Sequence, residues 1–223
     1  MIENVIFDLD GTLLDTIEDI RRALNETLAD FSLPPIDKDY AIASIGHGTE
    51  HLIKRALCEA RLSESEMEIF KRKYMKLQLG YQLDRAQPFD GIPDLLSRLS
   101  RIGVRLFVYT NKPHEIAREL VTVRFGTLIT ETLGQLGHAR PKPDITSLSD
   151  MMNRQSIESD TTLFVGDSLV DIETGRAAGM KTAVVSWGYV KRDILEKGHP
   201  DFIVDAPIDI FKIVAASGKT SIK

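Results

Sequence analysis

This chain has little of what commits a sequence to membranes, secretion or disorder. It carries a single cysteine, Cys58, in 223 residues. That residue cannot form an intrachain disulfide and has no thiol partner for a zinc site, which fits a reducing compartment; its context reads as a small apolar residue on a helix. No apolar run approaches the roughly 18 residues of a membrane span, and the first, Val5-Ile6-Phe7, ends at Asp8. Neither a signal peptide nor a membrane anchor is expected, and the expected location is cytoplasmic. Positive charge is not in excess either: 28 Lys+Arg stand against 33 Asp+Glu, a net charge of −5. Nucleic acid and anionic membrane are therefore not expected partners. With 9 Pro and 15 Gly the chain is not collagen-like or of low complexity. A globular protein remains, long enough for one domain carrying an insertion.

Short runs rich in β-branched or aromatic residues alternate with helical patterns. Val5 to Phe7, Val104 to Tyr109, Thr162 to Val165 and Thr182 to Ser186 read as buried parallel strands. Ile92, Leu95, Leu96, Leu99 and Ile102 recur at helical spacing, and Gly103 ends that helix. The alternation predicts an α/β fold with a doubly wound, mainly parallel sheet. Residues 16–87 break it: Ile17 to Phe31, Glu50 to Ala60 and Glu64 to Gln82 are amphipathic, and three or four helices are expected there. The predicted organisation is an α/β core of residues 1–15 and 88–216, an inserted helical unit of 16–87, and a tail of 217–223.

Two acidic motifs follow predicted strands. Asp8-Leu9-Asp10-Gly11-Thr12 comes directly after the first, and Gly166-Asp167-Ser168-Leu169-Val170-Asp171 after Thr162 to Val165. Open α/β sheets bind ligands at the carboxyl ends of their strands. Alone, Asp-x-Asp reads as a solvated turn and Gly-Asp-Ser as a helix cap; on two strand ends of one sheet they become specific. Four converging carboxylates repel, by ~4 kcal/mol for each pair at about 4 Å with an effective dielectric of 20. A cation must offset that, and oxygen ligands favour Mg²⁺. Thr110-Asn111-Lys112 and Arg140-Pro141-Lys142-Pro143 add a hydroxyl, backbone N–H groups and positive charge near other strand ends.

With these motifs in this order, the sequence resembles the haloacid dehalogenase superfamily phosphatases that carry a helical cap after their first motif. Within them it is most similar to the bacterial phosphoglycolate phosphatase branch, through Thr110-Asn111-Lys112-Pro113, Ile45-Gly46-His47-Gly48 and Gly188-Tyr189. The resemblance implies a Rossmann-like core and hydrolysis of a small-molecule phosphate monoester by a monomer or homodimer. It implies Asp8 as nucleophile, Asp10 as acid and base, and Thr110, Asn111 and Lys142 around the phosphoryl group. Mg²⁺ would be held by Asp8, the backbone carbonyl of Asp10, Asp167 and, through water, Asp171. The third motif departs from the usual Lys-Pro-x-Pro, leaving Lys142 or Arg140 to fill its basic position; Lys142 is preferred, because ammonium and guanidinium are not interchangeable in a packed site.

Substrate choice is expected in the cap. Gly46 and Gly48 precede a helix whose N-terminus suits a carboxylate, with His47, His51, Lys54 and Arg55 as neighbouring candidates. His138 and Trp187 read as structural. Gly46-x-Gly48 and Gly218-Lys219-Thr220 lack the glycines of nucleotide-binding loops. The favoured substrate is 2-phosphoglycolate. Its rivals are nucleoside monophosphates, pyrophosphate and sugar phosphates, then a phosphomutase or a non-catalytic binding module.

Overall fold

The computed structural model describes residues 1–58, 60–137 and 139–218. His138, and residues 219–223 of the expected tail and of the Gly218-Lys219-Thr220 motif, lie outside the described residues.

The elements run β1 (Asn4–Phe7), β2 (Leu14–Asp15), α1 (Ile17–Asp30), α2 (Lys38–Ile42), α3 (Thr49–Leu57), α4 (Glu64–Arg85), β3 (Gln87–Pro88), α5 (Ile92–Arg101) and β4 (Arg105–Pro113). There follow α6 (His114–Phe125), β5 (Glu131–Gln135), α7 (Thr146–Gln155), β6 (Thr162–Gly166), α8 (Leu169–Ala177), β7 (Lys181–Val185), α9 (Arg192–Lys197), β8 (Phe202–Val204) and α10 (Pro207–Ser217). Six strands form one parallel sheet in the order β5-β4-β1-β6-β7-β8. The chain winds one way from β1 through β4 to β5 and the other way through β6 to β8. The carboxyl ends of β4, β1 and β6 therefore flank the switch point at which such sheets bind ligands.

Alternation along the buried strands packs both faces. Val5, Phe7, Val108, Leu163 and Val165 join Leu95, Leu99, Ile116, Leu120, Ile210 and Val214 of α5, α6 and α10 on one face. Ile6, Phe107 and Phe164 pack with Leu148 and Met151 of α7 on the other. Each fully buried side chain of this size contributes roughly 1.5–3 kcal/mol of transfer free energy. A doubly wound α/β sheet is what the structure contains.

The four helices α1 to α4 stand between the antiparallel two-residue strands β2 and β3. They have their own apolar cluster, built on Ile20, Leu24, Leu28, Leu52, Ile53, Phe70 and Tyr74. The short α2 is the fourth helix. Its N-cap Asp37 accepts the Tyr40 N–H, and α4 opens on a capping box of Ser63 and Glu66.

Three sequence expectations need correction. The strand expected to end at Tyr109 continues to Pro113, so Thr110, Asn111 and Lys112 lie on it rather than after it. Strands β5 and β8 carried no strand signal. The first is an edge strand reading Glu-Thr-Leu-Gly-Gln, and the second has three residues. Cys58 is not within a helix: it follows α3, exposed, with φ of 52°.

Candidate active site

Strand β1 ends at Phe7 and delivers Asp8 to a buried position at the sheet's carboxyl edge. Gly11 makes the turn that follows, with φ of +87°, and a Cβ there would sit 2.3 Å from Asp167 Oδ2. Only glycine lets the two acidic loops approach so closely. Helix α8 begins just after Asp167, and Asp171 occupies its third position. One Asp171 oxygen accepts from the Ser168 N–H at 3.1 Å and the Ser168 hydroxyl at 2.6 Å. Asp171 thus serves in the capping box of α8, while its other oxygen accepts from Lys142 beside the cavity.

Lys142 joins these loops. Its Nζ donates to Asp8 Oδ1 and Asp171 Oδ1, each at 2.7 Å, and the side chain is buried. Burial alone would lower its pKa, but Asp171 and Asp8 outweigh that and raise it, so the ammonium stays charged. Arg140 is 86% exposed, with Asp144 at 3.9 Å. Of the two third-motif alternatives, Lys142 is the one in the cavity. Asn111 secures it: the Asn111 Oδ1 accepts the Lys142 backbone N–H at 2.6 Å, while its Nδ2 donates to the carbonyls of Lys142 and Gly46.

Asp10 occupies a different environment. Lys112 Nζ donates to both its oxygens at 2.9 Å, and the Thr16 hydroxyl donates to Oδ1 at 2.7 Å. The Lys112 side chain is 0% exposed. Sequence reasoning assigned it no role. The usable signal was a lysine three residues past the apolar run Leu106 to Tyr109, on a strand buried from Leu106 to Lys112. Thr110 is buried beside it, and its hydroxyl accepts the Lys112 N–H at 3.3 Å.

Among the described residues, Asp8, Asp167 and Asp171 each place an oxygen within 4.8 Å of the others'. Burial, then the charges of Asp171 and Asp8, raise the Asp167 pKa well above 3.8. Burial pushes Asp8 up to about 6, against the lowering effect of Lys142. Three buried carboxylates sharing one ammonium are underneutralised, and an all-oxygen donor set fits a hard divalent cation such as Mg²⁺. The Asp10 side chain is not in this group, so only its backbone carbonyl remains available for the ligand role.

The cap closes over the other side. A cavity of about 80 Å³ lies between them, lined on the core side by Asp8, Asp10, Thr110, Lys112, Lys142 and Asp167. The cap contributes Ile20, Ile45, Gly46, Gly48, Tyr74 and Gln78. Gly46 and Gly48 thus reach the cavity as expected, whereas Tyr74 and Gln78 were not anticipated. The basic cap candidates do not reach it. Arg55 turns toward α2, where it donates to the Ala43 carbonyl at 2.7 Å and lies 5.1 Å from the Tyr40 ring centre. His47 is exposed with its ring 4.9 Å from that of His51, and His51 Nδ1 lies 3.3 Å from the Ser44 carbonyl; Lys54 faces solvent. Trp187 Nε1 donates to the Thr12 carbonyl at 3.2 Å, a contact within the core.

A parallel sheet with catalytic-type carboxylates at its switch point and a helical cap after the first of them defines a class, and the sequence profile of the haloacid dehalogenase-like hydrolases matches residues 5–185. The chain belongs to that family. It is 32% identical to a phosphoglycolate phosphatase of Aquifex aeolicus, over 94% of this chain and 95% of that one. It is 31% identical to an N-acetylmuramic acid 6-phosphate phosphatase of Pseudomonas aeruginosa, over 96% and 95% respectively. The crystal structure of a predicted phosphoglycolate phosphatase from Haemophilus somnus superposes with a TM-score of 0.87 at 29% identity, covering 95% of this chain and 97% of that one.

Proposed function

We propose that this chain is a Mg²⁺-dependent phosphomonoesterase that works through an aspartyl-phosphate on Asp8, with 2-phosphoglycolate as its favoured substrate. The observation that carries the reading is the placement of Asp8 and Asp10 on one cavity in two different environments. Asp8 shares Lys142 with Asp171, and Asp10 is held by Lys112 and Thr16. Two carboxylates with separate partners can take separate roles.

In this reading Asp8 attacks phosphorus and the ester oxygen leaves. Asp10 delivers a proton to that oxygen and then takes one from the water that hydrolyses the acyl phosphate. Lys142, the Thr110 hydroxyl and the Asn111 backbone N–H face the phosphoryl oxygens, whose charge grows in the transition state. Asp8, Asp167 and the Asp10 carbonyl would hold Mg²⁺ directly and Asp171 through water. The bound cation would lower the repulsion between the carboxylates and an anionic substrate. Residues 16–87 act as the cap that excludes water.

Size supports a small leaving group. About 80 Å³ is far below the roughly 300–1,000 Å³ of sites that enclose drug-sized ligands. A cavity of this size suits a glycolate better than a nucleoside or an acylated sugar. The similarity to phosphoglycolate phosphatases along nearly the whole chain points the same way. The test is a panel of 2-phosphoglycolate, N-acetylmuramic acid 6-phosphate, a nucleoside monophosphate, pyrophosphate and a hexose phosphate. 2-Phosphoglycolate is expected to give the highest kcat/KM; a better value for any other compound overturns the substrate assignment. Release of inorganic phosphate without an isomerised product excludes mutase chemistry.

A further inference from the structure

Tyr189 lies in the loop after β7, outside every motif assigned a chemical role above, yet it touches both the site and the cap. Its backbone N–H donates to Asp167 Oδ2 at 2.8 Å. Its hydroxyl accepts the backbone N–H of Thr16 at 2.7 Å and of Ile17 at 3.1 Å, and donates to Asp15 Oδ1 at 3.0 Å. Asp15 belongs to the first of the two short strands that connect the cap, and Ile17 is the first residue of α1.

Helix α1 leaves its first N–H groups without intrahelical partners. Thr16, at its N-cap, is of the residue type that ordinarily satisfies one of them. Here its side chain makes no cap bond; its hydroxyl is turned to donate to Asp10. The Tyr189 hydroxyl, arriving from the core, supplies the acceptor at the helix start. Space around it is closed: a Cβ on Gly11 would lie 2.3 Å from Asp167 Oδ2 and 2.8 Å from the Tyr189 ring. Asp167, Gly11 and Tyr189 thus form one packed unit, which includes the residue that caps α1.

We infer that Tyr189 is a positioning residue that couples the Asp167 carboxylate to the first hinge of the cap, so that the state of the site sets how firmly the cap is held. The contacts themselves are independent of the proposed function; only the metal arm of the test rests on Asp167 holding Mg²⁺.

The test is amide hydrogen exchange at Thr16 and Ile17 in metal-free wild type, Tyr189→Phe, Asp167→Asn and the double variant, with the amides of β4 as a control for global stability. Removing the hydroxyl is expected to speed exchange at both amides about tenfold, the order of one lost hydrogen bond. Asp167→Asn is expected to speed it about threefold when Tyr189 is intact and not at all in the Tyr189→Phe background. An equal effect of Asp167→Asn in both backgrounds, or unchanged exchange in Tyr189→Phe, overturns the inference. In unsubstituted protein, Mg²⁺ is expected to slow exchange at Thr16 and Ile17 while β4 is unaffected; binding seen by calorimetry without that slowing also overturns it. Absence of Mg²⁺ binding contradicts the proposed metal site instead, and the metal-free cycle still decides the coupling.

Discussion

The two walls of the cavity are built on opposite principles. The core wall carries charged side chains, and each ammonium is matched to carboxylates: Lys142 to Asp8 and Asp171, Lys112 to Asp10. On the cap wall, among the described residues, no ionised side chain reaches the cavity; Ile20, Ile45, Leu52, Tyr74, Gln78, Gly46 and Gly48 face it. The difference separates tasks. Preorganised charge is effective where charge develops on the reacting atoms, and the sheet holds it rigidly. A neutral wall excludes water and limits size, and it can move without stranding an ion. The cap's charged residues Lys54 and Arg55 lie outside the cavity.

If this division is right, core substitutions abolish chemistry while cap substitutions change affinity. The largest effect is expected from Asp8→Asn, which removes the nucleophile and lowers kcat at least about 10⁴-fold. Substantial turnover by that variant, together with phosphate trapped on the protein, would move the nucleophile elsewhere. Next comes Lys142→Met. It leaves Asp8 and Asp171 buried without their ammonium, so kcat falls about 10²–10³-fold and the fold loses about 3–5 kcal/mol. Lys142→Arg is not expected to restore the rate, because the fork of a guanidinium does not fit a position packed for Nζ. Steady-state kinetics and denaturant melts measure both.

The third prediction concerns pH. Burial raises the Asp8 pKa from 3.8 to about 6 in the metal-free protein. The folded chain therefore holds this proton more tightly than the unfolded chain does. The resulting stabilisation is complete below about pH 4 and is lost as pH rises through about 6. Mg²⁺ requires the ionised form and is expected to raise Tm by several degrees at about pH 7.5 and by much less at about pH 5. Equal shifts at the two values would argue against a metal held by these carboxylates.

On the cap wall, effects should be smaller. Gly48 has φ of +89°, and a Cβ there would meet the Gln135 Oε1 at 2.6 Å. Gly48→Ala is expected to raise KM for 2-phosphoglycolate about three- to tenfold with kcat nearly unchanged, through backbone strain of about 1–3 kcal/mol. A loss confined to kcat would place Gly48 with the chemistry. Smallest of all is Arg55→Ala, expected to change kcat/KM by less than about twofold, since its guanidinium is spent on Ala43 and Tyr40. A tenfold loss would return Arg55 to the list of substrate ligands.

The fold was legible where burial writes a pattern. Val5 to Phe7 and Thr162 to Val165 are apolar because both faces of the sheet are covered, and α5 shows its inward stripe directly. Edge strand β5 was not legible, because a strand bonded on one side only needs no continuous apolar run. Among the site residues, Asp8, Asp10, Asp167 and Asp171 could be picked out because carboxylates directly after buried strands are conspicuous. Lys112 could not be assigned, since a lysine's partner is set by a contact 102 positions away in the chain. Arg55 was misjudged for the same reason: proximity in sequence to Gly48 said nothing of which side of α3 it occupies.

By itself the amino-acid order determined the α/β alternation, the helical interruption and the acidic strand ends, all of which follow from local periodicity and residue chemistry. Only the tertiary structure decided that Lys142 rather than Arg140 enters the cavity, that Lys112 pairs with Asp10, and that Tyr189 caps the first cap helix. Each of these is a pairing between groups distant in the chain. Such pairings arise where packed elements bring buried charges or orphan N–H groups together, and the requirement to satisfy them fixes which side chain turns inward.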